Sequence, residues 1–137
     1  MTVTEEEAYK TARLLDNSTD KNLPLFGATV AYKDIFLTKN VRTTAGSKVL
    51  VGYIPPYSAT SVKKIEEAGG IMIGKLNCDA WAHGASGENS DFGATLNPWN
   101  KDYVPGGSSS GSAASLASNM SLISLGSDTG GSTRQPA

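Results

Sequence analysis

At 137 residues the chain is long enough for one small core and short for two domains. Hydrophobic residues at 39%, charged residues at 18% and a net charge of −1 describe an ordinary soluble chain with no basic footprint for nucleic acid. The single cysteine, Cys78, excludes an internal disulfide and suits a reducing cytosol. Met1 opens onto Glu5-Glu6-Glu7 rather than a basic-then-apolar leader, and no apolar run reaches membrane-spanning length, so a cytoplasmic protein with no membrane partner is expected.

Thr4 with Glu7 forms a plausible capping box for a first helix reaching about Asp16, with Ala8, Leu14 and Leu15 on its apolar face. After a polar connector, Phe26 to Tyr32 reads as a strand. Asn40 to Ser47 is loop-like. Pro55-Pro56 punctuates the chain, Ser58 starts a helix through Ala68 with Val62 and Ile65 facing inward, and Gly69-Gly70 ends it. Ile71 to Gly74 is a short buried strand, and a helix around Cys78 to His83 follows. Gly84 to Gly111 is too long a Gly/Asn/Ser-rich passage to be an idle connector. A small-residue helix over Ser112 to Asn119 and an apolar strand within Ser121 to Gly126 complete the order, which predicts an α/β fold with parallel pairing.

Two Gly-Gly-Ser triplets, Gly106-Gly107-Ser108 and Gly130-Gly131-Ser132, flank that last helix and strand. Glycines ahead of a serine permit positive φ and close approach, which suits a serine presented beside bare backbone N–H groups. Gly107-Ser108-Ser109-Ser110-Gly111 formally matches a hydrolase nucleophile elbow, but Pro105 spoils the strand such an elbow needs and the only histidine, His83, lies upstream. No Lys-Ser/Thr follows the glycines at phosphate-loop spacing. Serine chemistry without a histidine needs another base. Lys33, which ends the run Val30-Ala31-Tyr32, is the lysine whose burial would lower its pKa toward that role. His83 reads as a helix-end residue, Trp81 and Trp99 as packing residues, and Glu88 equally as pocket or solvated loop.

Ala31-Tyr32-Lys33-Asp34, Pro105 to Gly111 and Asp128 to Pro136 together resemble the amidase signature family of serine amidohydrolases, whose catalytic unit is Ser-cis-Ser-Lys. Lys33 and Ser108 stand 75 positions apart and Ser108 and Ser132 24, which fits that family's layout. The resemblance implies Lys33, Ser108 and Ser132 as catalytic residues, backbone N–H groups of Thr129, Gly130, Gly131 and Ser132 as an oxyanion hole, and an Asp128–Arg134 ion pair holding the loop. It implies a layered α/β/α fold with a mixed central sheet, residues 1–137 being the N-terminal part of one larger domain that continues past the nucleophile loop.

Arg42 to Ser47, Gly87-Glu88-Asn89-Ser90 and Asn97-Pro98-Trp99-Asn100 are similar to the glutaminase subunits of tRNA-dependent amidotransferases. That similarity implies glutamine as substrate and ammonia delivered to a second protein of a heterotrimer, the B subunit, which would use ATP and Mg²⁺ on misacylated Glu-tRNA(Gln) or Asp-tRNA(Asn). A small third protein, the C subunit, would tie the two together. By the same similarity tRNA would be met only through the B subunit, and no cofactor or metal would belong to this chain. A stand-alone amidase of small amides and a non-catalytic interaction module remain alternatives. Alone, the chain is expected to be inactive and poorly stable, with an uncovered sheet edge and an open pocket that leaves Lys33 near the ordinary ~10.4.

Overall fold

Parallel strands need crossovers long enough to carry a helix, and this chain places one in each. A computed structural model describes residues 1–137. In chain order they form α1 (Glu5–Asp16), β1 (Thr29–Lys33), α2 (Thr60–Glu67), β2 (Ile71–Leu76), α3 (Ser110–Ala117) and β3 (Ile123–Leu125), with 3-10 turns at Lys48–Leu50 and Ala80–Ala82. The sheet order is β2-β1-β3 and both pairings are parallel. The α/β architecture is therefore present. Its sheet contains no antiparallel strand; the antiparallel element near it is an isolated bridge between Val3 and Gly74.

β1 is the central strand and is buried from Val30 to Lys33. Alternation along a strand sends successive side chains to opposite faces. Val30 and Tyr32 join Val62 of α2 in the core, against Phe36, Ile65, Met72, Ile123 and Leu125, so the inward positions expected of α2 are the ones buried. Gly69, at φ +92°, lets the chain reverse out of α2, and Gly70 N–H returns to the Ile65 carbonyl at 3.0 Å. Three parallel strands then end on one side of the sheet. Lys33 at the end of β1, Asp79 just past β2 and Ser127 just past β3 cluster there, where open parallel sheets place their sites.

Two local expectations are corrected. Thr4 does not close a capping box: it makes no side-chain cap, and its hydroxyl donates to the Met72 carbonyl at 3.2 Å. Docking α1 against β2 outcompetes the local cap. Residues 78–83 do not form a helix either, but a single 3-10 turn in which Trp81 and Ala82 adopt φ +58° and +59°. Asp79 spends its carboxylate on the N–H groups of Gly87 and Asn89 instead of capping, and Trp81 N–H pairs with the Ala45 carbonyl at 2.8 Å. No helix of the structure is long and apolar enough to cross a membrane.

Candidate active site

Lys33 closes β1 on the face away from Val30 and Tyr32 and is completely buried. Its ammonium has three protons, and three hydroxyls receive them: Ser108 Oγ at 2.7 Å, Ser127 Oγ at 2.9 Å and Ser109 Oγ at 3.0 Å. The pocket expected to stand open around it is therefore closed, because the Ser108–Ser109 segment and the residues after β3 cover the amine from this chain alone. Burial pushes the Lys33 pKa down from its ordinary value, opposed in part by the neighbouring acidic groups Cys78, Asp79 and Asp128. A deprotonated Lys33 keeps two donors and gains a lone pair; its shortest partner, Ser108, then becomes the group that can donate to it.

The serines after Gly106-Gly107 take separate tasks. Ser108 follows a cis peptide bond, has no solvent exposure and meets Lys33. Ser109 accepts from Lys33, donates to the Ser127 carbonyl at 3.2 Å, and sends its N–H to the Ser132 carbonyl at 2.9 Å. Ser110 opens α3 and shares a hydrogen bond with Thr95 at 2.9 Å. Small residues are required along α3: a methyl group on Gly111 would lie 2.6 Å from the Asn77 carbonyl oxygen. Gly107 N–H donates to Gln135 Oε1 at 2.8 Å, which fastens this segment to the one bearing Ser132.

Asp128 shapes the second segment. Its carboxylate accepts the N–H groups of Gly131 at 3.0 Å, Thr133 at 2.9 Å and Arg134 at 3.0 Å, and pairs with the Arg134 guanidinium at 2.8 and 3.2 Å. The Arg134 guanidinium and these N–H groups hold the Asp128 carboxyl well below the usual carboxylate range. The ion pair itself is solvent-exposed on the Arg134 side, so its value is geometric more than energetic. It folds residues 128–134 into a tight turn.

Ser132 is half-buried and its hydroxyl has no hydrogen-bond partner. It lines a cavity of about 480 Å³ together with Trp81, His83, Gly107, Ser127 and Gln135. Thr129, Gly130 and Gly131 line the same cavity. Gly131 N–H is committed to Asp128, whereas the N–H groups of Thr129, Gly130 and Ser132 have no partner within the chain. The four expected oxyanion donors thus reduce to three unengaged ones. Lys33 and Ser108 are brought into direct contact; Ser132 is tied by its carbonyl to the N–H of the neighbouring Ser109, and its hydroxyl makes no hydrogen bond to Ser108.

Ser127 and a second buried lysine carry no signal in the sequence that singles them out, and Ser109 and Gln135 lie within the resembling motifs with nothing that assigns them these contacts. Lys75 of β2 donates to the Phe36 carbonyl at 2.8 Å and Thr43 Oγ1 at 2.7 Å, and pairs with Asp34 Oδ1 at 3.1 Å. Asp34 Oδ2 accepts from Thr44 N–H at 2.9 Å and from the Thr44 hydroxyl. Burial lowers the Lys75 pKa, and Asp34 opposes that shift. Lys75 is ion-paired and Lys33 is not, which leaves Lys33 as the buried amine able to exchange a proton with a serine.

The amidase family model matches residues 1–137. The A subunit of glutamyl-tRNA(Gln) amidotransferase from Geobacter metallireducens is 53% identical over 139 residues, an alignment covering 100% of this chain and 29% of the relative. The crystal structure of the corresponding A subunit from Thermotoga maritima superposes with a TM-score of 0.82 at 42% identity, over 97% of this chain and 34% of that one. The K. lactis urea amidolyase superposes with a TM-score of 0.91 at 37% identity, over 98% of this chain and 8% of that one. The chain thus spans under a third of the length of the curated relatives it matches. With the full length of its sequence inside the family model, the chain belongs to the amidase family.

Proposed function

We propose that the chain carries the glutamine-hydrolysing centre of the A subunit of a tRNA-dependent amidotransferase. The observation that carries this reading is the buried Lys33 amine, free of any ion pair and 2.7 Å from Ser108, beside a cavity lined by Ser132 and three unengaged N–H groups. Neutral Lys33 accepts a proton from Ser108, which takes one from Ser132 as its oxygen attacks the side-chain amide carbon of glutamine. Substrate entry brings the Ser132 hydroxyl into line with Ser108. The carbonyl π electrons move to oxygen, and the N–H groups of Thr129, Gly130 and Ser132 stabilise that charge, each donor being worth about 3–4 kcal/mol in serine hydrolases. The C–N bond then breaks, ammonia leaves with the proton returned through Ser108, and water hydrolyses the acyl ester to glutamate and free Ser132.

The identity to A subunits of glutamyl-tRNA(Gln) amidotransferases supports a place in a complex with other subunits; glutamine as the amide, B and C subunits as partners, and ATP, Mg²⁺ and tRNA contact in the B subunit follow from the family resemblance. A second reading, hydrolysis of a small amide without partner subunits, draws support from the higher TM-score to the urea amidolyase. Assaying ammonia release from glutamine and from small amides by the full-length protein, with Ser132→Ala, Lys33→Ala and His83→Ala variants, separates them. Glutamine turnover abolished by the first two changes and retained by the third is expected. Turnover of small amides alone favours the second reading, and loss confined to His83→Ala would replace the lysine mechanism with a histidine one.

A further inference from the structure

A buried carboxylate that the mechanism does not use lies against the Gly107–Ser108 unit. Asp79 has no solvent exposure. Its Oδ1 accepts Asn89 N–H at 2.8 Å, its Oδ2 accepts Gly87 N–H at 3.1 Å, and its own N–H donates to the Ser108 carbonyl at 3.2 Å. A methyl group on Gly107 would overlap Asp79 Oδ2, and one on Gly84 would overlap its Cγ. Only glycine at both positions admits the carboxylate so close to the backbone.

The other two carboxylates near the site have cations: Asp34 pairs with Lys75, and Asp128 with Arg134. Asp79 has backbone N–H groups alone. Burying a carboxylate without a counter-ion is costly, and two N–H donors offset part of that cost. Of the acidic groups near Lys33, the buried Cys78 thiol is pushed up to about 12 and carries no charge at working pH, while Asp128 is engaged by Arg134 on the solvent side. Asp79 is the remaining one, fully buried and directly against the Ser108 segment.

We propose that Asp79 is a positioning residue for the Lys33–Ser108 pair: it seats the Gly107–Ser108 backbone and, as a buried carboxylate behind that segment, favours the charged form of Lys33 across it. This rests on Lys33 being the base. The test is a side-chain NMR titration of Lys33 in wild type and Asp79→Asn, joined to the pH dependence of kcat and KM for glutamine. The NMR measurement needs no turnover. In Asp79→Asn, Lys33 titrates at lower pH than in wild type, the acid limb of kcat moves down with it, the plateau falls by about tenfold to a hundredfold from displaced Ser108, and KM changes little. Should the Asn amide, facing two N–H groups, prevent folding, Asp79→Ser removes the charge without that clash and predicts the same limb shift. A folded neutral variant in which Lys33 titrates as in wild type overturns the proposal. A wild-type Lys33 that titrates at its ordinary value overturns the base assignment instead.

Discussion

Replacing Lys75 by methionine tests whether the second buried lysine is held by charge or merely by packing. Lys75 is 3% exposed, and Met retains most of the stem volume, so little cavity is created. What disappears is the charge. Asp34 Oδ1 has no hydrogen-bond partner besides the ion pair, and the Phe36 carbonyl and Thr43 hydroxyl each lose a donor. Removing one partner of a buried pair costs about 3–5 kcal/mol. That is a large fraction of the roughly 5–15 kcal/mol typical of a domain, and at roughly 4 °C per kcal/mol it lowers Tm by about 12–20 °C. Urea denaturation should show a lower midpoint at unchanged slope. The double variant Lys75→Met/Asp34→Leu should recover much of the loss, though not all, because Thr44 then lacks its acceptor. A cost for Lys75→Met below about 1 kcal/mol, the range of a solvated pair, would show that packing and not charge holds Lys75.

Ser127→Ala removes one of three Lys33 acceptors and should cost about 1 kcal/mol in denaturation experiments. If the same loss appears in the transition state, glutamine turnover falls on the order of fivefold. Stability measured across pH should carry the sign of the buried groups. Lys33 and Lys75 have folded pKa values below the unfolded ~10.4, so the unfolded chain binds more protons in that window and stability rises as pH increases from neutrality. Cys78, raised to about 12 from an unfolded ~8.5, acts oppositely above that pH, so the rise should flatten there and extend further in Cys78→Ser. A stability that falls steadily between about pH 7 and the unfolded thiol value of ~8.5 would contradict the lysine burial.

Which lysine serves the site is legible in the sequence only in part. Lys33 and Lys75 each sit near the end of an apolar strand, and local pattern treats them alike. Register separates them: Tyr32 pairs with Lys75 and Lys33 with Leu76, so the two amines emerge on opposite faces, one toward Asp34 and Thr43 and one toward the serines. Lys33 is identified through the Gly-Gly-Ser segments and the family resemblance; close approach of Gln135 and Asp79 requires the glycines at 106 and 107, and a φ of +119° favours one at 131. Ser127 carries no such signal, since a serine before Asp128 reads as an ordinary turn residue until β3 lies beside β1. The turn at Trp81–Ala82 departs from the expected helix because its left-handed residues are not glycines and its anchor, Asp79, bonds to N–H groups up to ten positions away.

In the proposed mechanism buried Lys33, through Ser108, activates the Ser132 hydroxyl. The most direct measurement is the rate of covalent labelling by a serine-directed fluorophosphonate, followed against pH and located by peptide mass spectrometry. A single label on Ser132 is expected, with a rate that climbs with pH along the Lys33 titration and falls by about 10²–10⁴ in Lys33→Met. A label on another serine, or a Lys33→Met variant that reacts as fast as wild type with the same pH dependence, would contradict that mechanism.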